Sequence, residues 1–445
     1  MGEIYKNATL TIAASLASAD SEGFLRNRTR HLSTQVLVKN SVFEGGSARL
    51  KVRETVGKHM RHDVGSHIRD SWRVNIARPA NAMEPLDPRA WCFQEKLVSR
   101  RLLSYCSKEL EWDCLECCDC ECGERHRDFM EDGYNFRNAG SRVLYQGLLF
   151  LGLAMESADE DERAKLIERV FEVWRMTIVP TYSQLSLTNE KDRLPALAAV
   201  AKGRGDILKD SYLAGMWRSD LRVGLAWKSG QYASNPPSPG RLSDGYRAPS
   251  WSWTSIEGPC DNCYDYEDDC VPIFDVLEAG VTQAGSDPWA NANAGFLKVY
   301  GHLLPATLHM TSSQEDMVEN GTIYYCCIDN VRQGRLWPDV PLAIEDGAIY
   351  RSRLSSLEQH QERIGSVHLL ALHIMRPRTN SGFTDRTNRP TMDFMAQRHL
   401  TFLVLGPCKA QQDTFERLGI IDIVANGSLS QNWVERWPKV EVTIL

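Results

Sequence analysis

The chain has 445 residues, beyond the size at which one hydrophobic core keeps growing, so two or three domains are expected. Hydrophobic residues make up 42% and charged residues 24%, a globular rather than a disordered balance. The formal net charge of −7 argues against a phosphate-binding surface, so no nucleic-acid partner is expected.

The opening MGEIYKNATLTIAAS has no basic segment followed by a long apolar core. The most apolar later run, VLYQGLLFLGLAM at residues 143–155, is too short for a bilayer and contains Gln146. No membrane segment is expected, and the chain reads as intracellular and cytoplasmic. Its 13 cysteines cannot all pair within one chain, and in that compartment they are expected as thiols.

In chain order, residues 1–6 read as the tail of a helix. Residues 8–14 (ATLTIAA) read as a buried strand in which Leu10 and Ile12 share one face. Further strands are expected at 35–39 and 48–52. Asp87 followed by Pro88 predicts a capped helix over residues 88–98. Trp91, Glu95 and Val98 share one of its faces, and Ala90, Phe93 and Leu97 an adjoining apolar one. RLLSYC and ELEWDC then flank a short turn at Ser107 and Lys108, an antiparallel hairpin anchored by Trp112. Residues 138–210 carry helical periodicity, with Leu166, Val170, Val173, Trp174 and Thr177 on one stripe. The run 232–249 is rich in Pro, Gly and Ser and marks a boundary. Beyond it SWSWTSI, FLKVYGHLL, TIYYCCI, SVHLLALHIM, HLTFLVLG, ERLGIIDIV and VEVTIL read as strands. Met216 to Arg218 reads as a packed helix turn.

Two constellations carry chemistry. Glu95 projects from a partly apolar helix side, which calls for a cationic partner among Arg89, Arg100 and Arg101 or for a raised pKa. Either it belongs to a structural ion pair, or it is a catalytic carboxylate with Gln94 and Arg89 positioning a ligand. The second is CLECCDCECGERH, in which Cys114 and Cys117 have zinc-ligand spacing and Cys120 and Cys122 follow. Either these four thiolates hold zinc, the candidate cofactor, or they are reduced thiols of an acidic loop. A second pair, Cys260 and Cys263, raises a shared site. Trp251 and Trp253 read as core. No Walker loop, Rossmann glycine motif or nucleophile elbow is present.

RAWCFQEKLVSRRLLSY followed by ELEWDC resembles the C-terminal signature of the fungal heterokaryon-incompatibility (HET) domain, through Arg89, Ala90, Trp91, Gln94, Glu95, Leu97, Ser99, Arg101, Trp112 and Cys114. Tyr5, Asn7, Ala8, Asp20, Gly23 and Phe24 resemble the preceding segment of that domain. DRLPALAAVAK, SYLAGMWRSDL, YRAPSWSWTSIEG and FERLGIIDI resemble the tail of such proteins. The motifs that usually precede the Tyr5 segment are absent before it, so a HET domain lacking its N-terminal part is expected.

The resemblance implies a TIR-like α/β region and a role in fungal self/non-self recognition and programmed cell death, acting through other proteins of an incompatibility pathway. Some TIR relatives cleave NAD with a glutamate, which makes an NAD-consuming hydrolase the alternative. The expected architecture is α/β to α+β: a partial HET region at 1–125, a mostly helical region at 126–231 and a β-rich region at 232–445.

Overall fold

The computed structural model describes residues 2–25, 33–39, 47–53, 84–107, 110–114, 117–121, 127–128, 158–230, 239–262, 270–312, 322–353, 363–375, 399–424 and 431–445. The apolar run at 143–155 lies outside them. Three segments were expected; the chain forms two compact units, residues 1–166 with 185–187, and residues 167–184 with 188–445. The expected helical region is divided between them.

The first unit is mixed α/β. Helix α1 (Gly2–Asn7) leads into strand β1 (Thr11–Ala13). β2 (Ser33–Lys39) and β3 (Ser47–Arg53) form a separate antiparallel hairpin. Helix α2 (Ala90–Val98) runs into β4 (Arg101–Tyr105) and β5 (Leu110–Cys114), followed by β6 (Cys117–Cys120) and β7 (Arg127–Asp128). The sheet order is β1-β4-β5-β6-β7, with β1 parallel to β4 and the rest antiparallel.

Helix α2 starts two residues later than the Asp87–Pro88 signal predicts. Asp87 does not cap it. Its carboxylate accepts from the Glu84 N–H at 3.0 Å and from Lys96 Nζ at 3.0 Å. Arg89 is extended and bridges Ser186: the Ser186 N–H donates to Pro88 O, and the Ala90 N–H donates to Ser186 O. That ladder claims the backbone groups of the expected first turn. The buried stripe of α2 is Ala90, Gln94, Leu97 and Val98, so Gln94 points inward between the two faces expected from spacing.

The hairpin forms as expected, but its burial is inverted. Glu111 and Asp113 are buried, whereas Leu110, Trp112 and Cys114 are half-buried. Alternation defines two faces without saying which is covered. Here Asp113 stands opposite Leu102 and Glu111 opposite Ser104, both buried on β4. Both acids engage partners, as buried carboxylates must. β1 departs from expectation in the same way: Leu10 and Ile12 are 41% and 52% exposed, and Ala13 is buried.

The second unit joins a helical and Trp-rich layer to a large antiparallel sheet. Helix α3 (Glu160–Val173) begins in the first unit and enters the second at residue 167; a π turn at Trp174–Ile178 and α4 (Val179–Ser183) continue it. Pro180 lacks the N–H that an α turn would donate, and the widened turn ends just before it. The extra residue shifts the stripe, so Ile178 and Tyr182 are fully buried where Thr177 was expected. Next come α5 (Ala198–Leu208), hairpin β8 (Tyr212–Leu213) and β9 (Met216–Trp217), α6 (Leu221–Gly224), β10 (Trp227–Ser229), β11 (Arg241–Leu242), β12 (Ile256–Glu257) and β13 (Cys260–Asn262). Met216 thus lies in a strand rather than a helix turn. Trp251 and Trp253 are buried, but Trp253 opens a 3-10 turn rather than lying in a strand.

The remaining strands are β14 (Cys270–Pro272), β15 (Asp275–Gln283), β16 (Ala292–Ser312), β17 (Thr322–Ile328), β18 (Val331–Pro338), β19 (Leu342–Glu345), β20 (Ala348–Arg351), β21 (Arg363–Met375), β22 (His399–Pro407), β23 (Phe415–Val424) and β24 (Lys439–Ile444). β16, β17, β18, β23, β22 and β21 pair antiparallel in that order, and β21 pairs back onto β16, closing a ring. Closure removes the edges an open sheet would expose. β22 is buried from Leu400 to Leu405 because one face fills the ring and the other is covered. Part of that cover is held by the fully buried Arg417. It pairs with Asp339 at 2.7 Å, donates to Leu225 O and Trp227 O, and stacks 3.5 Å over the Trp227 ring.

Candidate functional site

In the first unit the predicted site residues do not act as one group. Glu95 lies at the margin of the buried stripe of α2 and is half-buried. Its carboxylate accepts a hydrogen bond from the Tyr5 hydroxyl. Burial raises its pKa, opposed by the Tyr5 bond and then by the charges of Arg89 and Lys96. Of the two outcomes expected for this carboxylate, the raised pKa is the one present. Tyr5 and the neighbouring Cys92 thiol are shifted upward too, by burial first and by the Glu95 charge second.

Arg89 contributes charge near Glu95 without a direct bond to it among the described contacts, and Lys96 is held by Asp87. Arg101 reaches Thr9 O instead. Gln94 is 3% exposed and partnered, which makes it part of the packing rather than a ligand-facing group. Ser99, 2% exposed, closes the other end: its Oγ lies 2.7 Å from Glu95 O and 2.8 Å from Thr11 Oγ1. The helix is thereby tied to α1 through Tyr5 and to β1 through Thr11. Tyr5 was not paired with Glu95 from the sequence, because a separation of 90 positions leaves no spacing signal.

The cysteine loop is the second site. Cys114 ends β5 and Cys117 opens β6, two strands that pair antiparallel. Their sulfurs are 3.7 Å apart and unbonded. The Cys117 N–H points at Cys114 Sγ, at 3.3 Å. In the strand register Cys118 stands opposite Asp113 and Cys120 opposite Glu111. Cys114 ends one strand and Cys117 opens the next, Cys120 stands opposite Glu111 in the register, and Cys122 lies outside the described residues. Among the described residues, no three His, Cys, Asp or Glu side chains form a metal-binding group. Cys260 is 2% exposed, and burial pushes its thiol up to about 12. Cys263 lies outside the described residues.

The second unit holds a small pocket lined by Trp174, Trp217, Trp227 and Trp253, with the buried Arg175–Asp220 ion pair in its wall. Burial pushes the Asp220 carboxyl up to about 7, opposed by Arg175. The titratable side chains of its wall are Arg175, Asp220 and Asp261.

The sequence matches no family model, no curated protein and no solved structure. No helix among the described residues is long and apolar enough to cross a membrane.

Proposed function

We propose that this chain is a fungal incompatibility-type protein of the HET kind, acting in self/non-self recognition and cell death through association with other proteins in the cytoplasm. The observation that supports the reading is the assembly around α2. Residues of the two resembling segments, Tyr5 in one and Glu95 and Ser99 in the other, join into one packed element with β1 and β4. In this reading the first unit is the C-terminal part of a TIR-like α/β domain. Exposed Ile12 in β1 and Leu10 just before it, with Ile4 at 70%, supply apolar surface of the kind that association uses.

The test is induced expression of the whole chain in a filamentous fungal host, with viability followed against protein level. Growth arrest or death above a threshold level is expected. A culture that holds full-length protein and grows like the vector control sinks the proposal.

A second reading, an NAD-consuming hydrolase, draws on one observation: Glu95 is a half-buried carboxylate of raised pKa beside a tyrosine hydroxyl. In that reading Glu95 would stabilise positive charge developing on the ribose as the nicotinamide bond breaks. Cellular NAD then falls on induction of the parent chain and not of Glu95→Gln. Equal killing by both, at constant NAD, leaves only the association reading.

A further inference from the structure

We propose, independently of the incompatibility reading, that Trp289 is a removable plug in an aromatic slot of the second unit, and that the slot is a docking site for an aromatic side chain of a partner peptide.

Three residues build the slot. Gly205 lies inside α5, Tyr212 in β8 and Trp217 in β9, and all three are buried. Trp289 belongs to the loop 284–291 that joins β15 to β16. Residues 284–288 of that loop are exposed, but Trp289 turns inward and is half-buried. Its ring centroid lies 5.3 Å from that of Tyr212 and 6.1 Å from that of Trp217, tilted to both. The tip of the indole rests on the helix: a Cβ at Gly205 would lie 2.1 Å from Trp289 Cη2. Glycine weakens a helix interior, and here it leaves the room that the ring occupies.

The plug is aimed by its own loop. The Trp289 N–H donates to Asp287 Oδ1 at 3.0 Å and the Ala290 N–H to Asp287 O at 3.2 Å, an Asp-Pro turn. The Ala284 N–H donates to Asn291 O at 2.8 Å, and Gln283 Nε2 to Pro288 O at 3.2 Å. Among the described contacts, every hydrogen bond of residues 284–291 closes within the loop or onto the end of β15. None reaches α5, β8 or β9.

Other tryptophans of this layer are pinned. Trp174 and Trp253 donate their indole N–H to Gly215 O, and Trp227 donates to Trp251 O. Trp289 makes no such bond among the described contacts. The loop therefore swings out with its own hydrogen bonds intact and loses the ring contacts of one half-buried side chain. Openings of this local kind cost less than global unfolding. Behind the plug lie two aromatic rings and a helix backbone, spaced for a flat ring. That is a hidden pocket which a competing ligand makes dominant. The seated indole defines the occupant: a partner's exposed tryptophan, or a smaller aromatic side chain, makes the same contacts.

The test uses the full chain labelled with 5-fluorotryptophan and read by fluorine NMR. The Trp289 line is assigned by its loss in Trp289→Ala, and the probe is N-acetyltryptophanamide. Trp289→Ala, its slot vacated, is expected to bind the probe saturably. The parent should bind it about tenfold or more weakly, because the plug must leave first, and the affinity ratio reads the fraction of molecules that are open. As the parent takes up probe, its Trp289 line should move to the position of a solvent-exposed indole. Gly205→Ala should move it there without probe.

Gly205→Ala can fail by misfolding, which would shift every tryptophan line; Trp289→Ala and the parent then decide the matter between them. No uptake by Trp289→Ala, equal uptake by the two chains, a Trp289 line that never moves as probe is added to the parent, or an unmoved line in folded Gly205→Ala would each overturn the proposal.

Discussion

Glu95 shows how one side chain's surroundings set its chemistry. Helical spacing places it beside Trp91 and Val98, but its half-burial comes from Gln94 turning inward next to it and from Tyr5 covering it. Its pKa is raised in the fold, so the sign of the linkage is fixed. The folded state is favoured by this group below the pKa of an unfolded glutamate. That contribution is lost as pH rises through the higher folded value. Glu95→Gln should therefore flatten the dependence of stability on pH in the mildly acidic range without lowering stability at neutral pH. Denaturant melts of the two proteins across that range check it; an unchanged slope would mean that the carboxylate is not desolvated.

The α2–β1 junction belongs to the scale of elements. Ser99 ends the helix and spans Glu95 O and Thr11 Oγ1, so one hydroxyl fixes where the chain leaves α2 for β4 and where β1 lies beside it. Ser99→Ala removes that link and is expected to cost about 1 kcal/mol, the net worth of a buried hydrogen bond. Local unfolding should show it first, as faster amide exchange in β1 than in β5. The hairpin and α2 were readable as elements from alternation and from the helical period. The side they bury was not, because Glu111, Asp113 and Gln94 are polar residues placed inside by their neighbours across the sheet and helix. The start of α2 was misplaced for a related reason: Ser186, far along the chain, competes for its first turn.

The second unit is decided by ring closure. Most strands of the ring announce themselves as short apolar runs, though β18 (VRQGRLWP) does not, and nothing in a run says that β21 returns to β16. Where β18 meets β23 the backbones come so close that only a glycine fits. A Cβ at Gly419 would lie 2.3 Å from Trp337 O and 2.9 Å from Pro338 Cα, both backbone atoms. Gly419→Ala must spread that seam and should cost about 1–3 kcal/mol, as overpacking does. A lowered denaturation midpoint for the second unit is the expected reading; full stability would show that the seam is looser than the ring requires. The buried Arg417 clamps the covering layer to the same strand, which couples the layer to closure.

Sequence alone determined the helical period of α2, the β4–β5 hairpin and the β-rich second half. Those properties are local: they follow from residue spacing, turn chemistry and short motifs. Tertiary structure decided which face of β5 is covered, that Tyr5 meets Glu95, and that the ring closes. Each of these depends on a partner distant in sequence or on which of two equivalent faces meets the core. A one-dimensional pattern leaves both open, and packing settles them.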